Sequence, residues 1–161
     1  MKSCLLPVCV GMVLFACWQC SPAAEKKGGA AGREVTLSIQ GVLASKGADP
    51  GNPEIDPSLA PYRELLQRLG FGKYENIGRG SGRARAEQTL TLKVGSHTVE
   101  LRVASFVKDS TRVSYVVKDS QGRAVGSNAL DLRPGRPVPV MLGDPTVPVV
   151  LLFEAGRPGG K

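Results

Sequence analysis

Thr89-Leu-Thr-Leu-Lys-Val-Gly-Ser-His-Thr-Val-Glu-Leu-Arg-Val103 decides the fold. Leu90, Leu92 and Val94 alternate with polar neighbours, Gly95-Ser96 interrupts, and Val99, Leu101 and Val103 resume the alternation. A period of two sends one side of an extended chain to a core and the other to water. Two such runs across a short glycine turn predict a β-hairpin.

The same period extends in both directions. Upstream, Val35, Leu37 and Ile39 predict a strand that Val42 and Leu43 continue past Gly41 through a bulge. Downstream, Val113, Tyr115 and Val117 precede a turn at Asp119-Ser-Gln-Gly122, and Val125, Leu130 and Leu132 follow less regularly. Val138, Val140 and Leu142 are interleaved with Pro137, Pro139 and Met141, and prolines of that kind demand an edge or an irregular strand. Val147, Val149, Leu151 and Phe153 close the series. About seven short strands, with twenty glycines and twelve prolines to turn them, predict a mainly β (α+β) fold: an antiparallel β-sandwich or partly open barrel.

One helix is expected to pack on it. Leu59, Tyr62, Leu65, Leu66 and Leu69 recur at helical spacing, Asp56 or Ser58 supplies a cap, Pro57 or Pro61 fits a first turn, and Gly70 fits the end. Before it, residues 45–56 read as a loop. Its Asp49, Asn52, Glu54 and Asp56 are assigned to turns and caps, because Pro50 and Pro53 break the spacing of a calcium loop. No metal site is predicted.

All four cysteines, Cys4, Cys9, Cys17 and Cys20, precede Ser21-Pro22-Ala23. Lys2, an apolar run over 5–15 and that small-residue site predict a signal peptide over 1–23. A flexible tether over 24–33, one β-rich domain over 34–155 and a disordered tail over 156–161 follow. The expected location is exported, periplasmic or secreted. Leu14-Phe15-Ala16-Cys17 supplies the alternative, a bacterial lipobox with Cys17 acylated and the domain lipid-anchored in the envelope, although Phe15 departs from the small or β-branched residue preferred there.

Lysine and arginine outnumber aspartate and glutamate by 21 to 14, a net charge of +7, which favours anionic neighbours. Arg79, Arg83 and Arg85, set among glycines in a segment read as a loop, form with Lys73 the candidate anion-binding residues. The expected ligands are acidic glycans or lipid head groups. Nucleic acid is not expected, since the segment lacks aromatic stacking platforms.

Catalytic patterns are missing from the sequence. His97 is the one histidine, and no nucleophile elbow, paired-histidine metal motif, phosphate loop or dinucleotide fingerprint occurs. Glu75, Glu87 and Glu100 lie near strand segments, where a pair facing one another would be needed for a two-acid mechanism, and their separation is not set by sequence. No catalytic residue and no cofactor is assigned.

Gly41-Val-Leu-Ala-Ser-Lys46, Ile55-Asp-Pro-Ser-Leu59 and Leu65-Leu-Gln-Arg-Leu-Gly-Phe-Gly-Lys-Tyr74 resemble a family of exported bacterial envelope proteins. Those proteins set an alanine-serine strand end before a short leucine helix, an aromatic pair and a β-rich remainder. Leu132-Arg-Pro-Gly-Arg-Pro-Val138 and Val140-Met-Leu-Gly-Asp-Pro145 extend the likeness over most of 34–154. The resemblance implies an envelope setting and a non-enzymatic role, and transfers no site residue. The function expected is a non-catalytic envelope accessory that meets a protein partner through a sheet edge or loop surface. The alternatives are an anionic-polymer binder using 79–85 and a small hydrolase with an unrecognised site.

Overall fold

The structure, a computed structural model, describes residues 32–47, 49–157 and 159. The signal peptide, most of the tether and Cys17 lie outside the described residues. Among the described residues nine strands run in chain order: β1 (Glu34–Ser45), β2 (Glu54–Ile55), β3 (Lys73–Arg85), β4 (Thr89–Val94), β5 (His97–Val107), β6 (Ser110–Lys118), β7 (Ala124–Leu132), β8 (Val138–Leu142) and β9 (Val149–Ala155). They form a five-stranded sheet in the order β2-β3-β1-β9-β8 and a four-stranded sheet in the order β4-β5-β6-β7. All ladders are antiparallel except the short β2–β3 pair.

The predicted hairpin is β4–β5, with Val94 opposite His97 across the two-residue turn and Gly95 at φ 58°. The two sheets face each other over a core of Val35, Leu37, Ile39, Val99, Leu101, Val103, Val113, Val117 and Leu151. Within it the Tyr115 and Phe153 rings pack with centroids 4.9 Å apart. The prolines fall where an edge tolerates them. Pro139 lies on β8, the last strand of its sheet, opposite Leu152. An edge strand loses no ladder bond when its proline nitrogen faces outward.

Two expectations need correction. Residues 79–85 are not a loop but the second half of β3, paired in register with β1 from Gly41↔Gly78 to Glu34↔Arg85. Gly80, Gly82 and Ala84 take the inward positions, where β4 lies close. A Cβ at Gly80 would stand 3.1 Å from both Leu92 Cβ and the Lys93 carbonyl oxygen. The period of two is present, but glycine marks its inner face where an apolar side chain would have signalled a strand. The single helix is also two pieces: a 3-10 stretch at Pro57–Tyr62 and a short α1 at Arg63–Gln67. Pro61 inside the first piece has no N–H to donate, so a regular α-helix cannot run through it. Asp56 caps it as expected, accepting from the Ser58 N–H at 2.8 Å. After β9, Gly156 N–H donates to the Thr36 carbonyl, and Glu34 and Gly159 exchange backbone bonds.

Along β1 the outer face reads Glu34, Thr36, Ser38 and Gln40, then Val42 and Ala44. The helical layer covers only the apolar part, where Leu59, Tyr62, Leu66 and Tyr74 bury Val42, Ala44, Val150 and Leu152 in a second core. Gln40 marks the boundary, donating from Nε2 to Asn76 Oδ1 at 2.6 Å and to the Gly78 carbonyl at 3.0 Å. Tyr74 pins the layer: its hydroxyl donates to the Leu66 carbonyl at 2.5 Å and accepts the Phe71 N–H at 3.1 Å. Tyr74→Phe orphans both backbone groups and is expected to cost about 1–3 kcal/mol.

Burial pushes the Tyr62, Tyr74 and Tyr115 hydroxyls above the ordinary value of 10.0. The folded state therefore favours their neutral form. That contribution is intact below pH 10.0 and is lost as pH rises through the raised folded values. Urea midpoints measured across this range should fall above about pH 10, and less steeply in Tyr74→Phe.

Candidate functional site

Antiparallel connections gather distant parts of the sequence at one end of the sandwich. Glu34 opposite Arg85 places the start of β1 there, Val107 opposite Ser110 the β5–β6 turn, Thr111 opposite Leu132 the end of β7, and Leu37 opposite Ala155 the end of β9. A cleft of about 700 Å³ at this end is lined by Arg33, Lys108, Asp109, Arg133, Pro134, Arg136 and Arg157. Among the described residues lining it, five cations face one carboxylate, an excess of more than half of the chain's net charge of +7 in one hollow.

The backbone holds two of these cations side by side. Arg133-Pro134-Gly135-Arg136 closes with the Arg136 N–H donating to the Arg133 carbonyl at 3.1 Å. Proline in the second place and a glycine at φ 71° in the third suit a tight turn of the type that requires a positive φ. Arg133 and Arg136 form a β-bridge, and Pro134 bridges to Ala155 at the end of β9. Residues paired in this way project on the same side, and like charges so placed repel. Among the described residues the ion pairs use Lys73, Arg85, Arg102, Arg112, Lys118 and Arg123. None of the five cleft cations takes part in one.

Lys108 reaches the cleft from a strained position, at φ 48° in the β5–β6 turn. The left-handed region costs a non-glycine residue about 1 kcal/mol. Lys108→Gly is expected to raise the unfolding midpoint while weakening anion binding. A fall in both would show that the turn serves folding alone.

The residues chosen from sequence do not converge. Lys73 and Arg85 stand at opposite ends of β3, about 40 Å apart along an extended strand. The register shift at Gly41/Val42 leaves Ile77 without a partner across the ladder. Lys73 therefore falls on the opposite face from Arg79, Arg83 and Arg85. It is also paired with Glu75 at 2.7 Å, and this hydrogen bond, then the charge attraction, raises the lysine's pKa. Arg79 and Arg83 are exposed on the outer face, near carboxylates at Glu34 and Glu154. Glu154 accepts hydrogen bonds from Ser38 at 3.3 Å and from Tyr62 at 3.1 Å. Arg85 lies at the same end of the sandwich as the cleft but on the outer face of β3, 3.9 Å from Glu34.

The other candidates are engaged elsewhere. Ser96 Oγ lies 3.5 Å from His97 Nδ1, and among the described residues no carboxylate is bonded to the ring. A catalytic serine–histidine pair needs that orienting acid. Glu75, Glu87 and Glu100 are each ion-paired, with Lys73, Arg102 and Lys118 respectively. Asp49 accepts the Gly51 N–H, closing the turn assigned to it.

Sequence reasoning missed the cleft because its cations come from four separate stretches that only the topology unites. The one local signal was arginine on both sides of Pro134-Gly135. Among the described residues no helix is long and apolar enough to cross a membrane. Compared with known proteins, the chain matches no family model, no curated protein and no solved structure.

Proposed function

We propose that this domain is a non-catalytic binding module whose working surface is the basic end of the sandwich, holding an anionic ligand of the envelope. The observation that carries the reading is the cross-strand pair Arg133 and Arg136, fixed by a rigid turn beside Arg33, Lys108 and Arg157, with Asp109 as the single acid among the described lining residues. Holding like charges together is unfavourable in the free protein. A phosphate, sulfate or carboxylate group lying between two guanidinium forks removes that repulsion and forms charge-assisted hydrogen bonds. The loop surface expected from sequence thus becomes this cleft rather than residues 79–85. The β8 edge is a poorer docking surface, because Pro139 withholds a donor from any added strand.

The test is a titration of the full chain with inorganic polyphosphate over a series of salt concentrations. Affinity is expected to fall linearly on logarithmic axes as salt rises, since several cations exchange small ions for ligand. Neutral dextran should not bind. An absence of salt-sensitive binding at low ionic strength would overturn the reading.

A further inference from the structure

We infer that the basic end docks the domain end-on against an anionic lipid surface, with Val107 entering the headgroup layer. The inference rests on the anion-binding reading and names its ligand. Three observations favour a lipid surface over a dissolved polymer.

The first is the tip of the β5–β6 hairpin. Val107 opposite Ser110 closes a two-residue loop of Lys108 and Asp109, so Val107 sits at the extreme of the hairpin. It is 53% exposed, and it shares a second hollow with Lys108, Asp109, Ser110 and Arg133. The two hollows have Lys108, Asp109 and Arg133 in common. An apolar side chain set directly among cations fits the boundary between charged headgroups and acyl chains.

The second is the distribution of charge. Arg33 precedes β1, Lys108 lies in the β5–β6 turn, Arg133 and Arg136 flank the β7–β8 turn, and Arg157 follows β9. Cations supplied by two connections and by the segments flanking the first and last strands are spread across the end of a sandwich. Such a spread matches many singly charged headgroups in a plane better than one compact anion.

The third is direction. The chain joins the domain at this same end, through Arg33, and the sequence ahead of Arg33 holds both the apolar run over 5–15 and the acylation candidate Cys17. Residues 16–32 span at most about 60 Å even when fully extended. An acylated Cys17 would lead into the domain beside the cations. The covered outer face and the His97 turn lie at the other end of the strands.

The experiment is co-sedimentation of the full chain with vesicles of phosphatidylcholine containing phosphatidylglycerol, against vesicles of phosphatidylcholine alone. Using the ratio of the two partition coefficients cancels whatever the apolar N-terminal run contributes to both. Each cation near such a surface adds up to several-fold, so a ratio of about 100 is expected at low salt, collapsing towards one at high salt. Val107→Ser should lower partition onto the anionic vesicles about 5- to 10-fold while binding inorganic polyphosphate as the parent does. Arg133→Glu with Arg136→Glu should abolish the ratio and the polyphosphate binding together.

Polyphosphate binding with a vesicle ratio near one would overturn the lipid inference and leave the anion-binding reading standing. So would a Val107→Ser protein that partitions like the parent. Failure to bind either probe would overturn both. Unfolding midpoints for each variant separate loss of binding from loss of fold.

Discussion

Arg133→Glu combined with Arg136→Glu lowers polyphosphate affinity at least about 100-fold and leaves the fold as stable as before or slightly more so. The two effects have one cause. The pair is held by backbone: the Arg136 N–H to Arg133 carbonyl bond and the Pro134–Ala155 bridge involve no guanidinium. Neither arginine side chain has an ion partner among the described residues. Their replacement therefore removes no stabilising contact, and the remaining cations gain partners of opposite sign. For a ligand, each lost charge-assisted bond is worth about 1.5–3 kcal/mol, so two losses amount to two to four powers of ten. The control is Arg79→Glu with Arg83→Glu, which makes the same change in net charge on the outer face of β3. If a general positive field attracted the ligand, both double variants would weaken binding alike. If the cleft is the site, the β3 variant should change affinity by no more than about three-fold, the part due to long-range attraction. A β3 variant as damaged as the cleft variant would move the site back to the residues chosen from sequence.

How much was legible follows from what each element uses to hold itself. The β4–β5 hairpin was readable because Leu92, Val94, Val99, Leu101 and Val103 are themselves the core. The edge position of β8 was readable because Pro139 is a local restriction on hydrogen bonding. The second half of β3 was not, because it is packed through backbone and glycine: contact with β4 there requires a missing side chain, and missing side chains resemble a loop. The bulge near Gly41 was expected, but its unmatched residue, Ile77, lies on the neighbouring strand, and only pairing reveals that. The helix was placed correctly and shaped wrongly, since one proline interrupts a pattern set by five apolar residues. The cleft was the least legible. Arg33 and Arg157 are at opposite ends of the domain sequence, and nothing in either stretch announces the other.

The seam between the sheets gives the second large effect. Gly41→Val is expected to destabilise the domain by about 3 kcal/mol, at the upper end of what overpacking costs. Gly41 falls on the inward face of β1, between Ile39 and Leu43, opposite Gly78 of β3. A Cβ there overlaps Val94 Cγ1 and stands 2.8 Å from Ile77 Cγ1. Both neighbours are β-branched and have few rotamers to retreat into, and Val94 is fully buried. The backbone cannot yield easily either. Gly78 and Gly95, which flank the contact, are at φ 137° and 58°. A Cβ on Gly95 would meet the Ile77 carbonyl oxygen at 3.0 Å, so the two strands are already as close as their atoms permit. Overlap with one defined side chain predicts a specific rescue. Val94→Ala alone should cost about 2 kcal/mol for the cavity it leaves. In the Gly41→Val background the same change fills that cavity with the new side chain, and the double variant should be more stable than the sum of the single losses by at least about 1 kcal/mol. Urea denaturation of the four proteins measures the cycle. Additive losses would mean that Gly41 is required for its backbone alone, and that β1 and β4 do not meet through Val94.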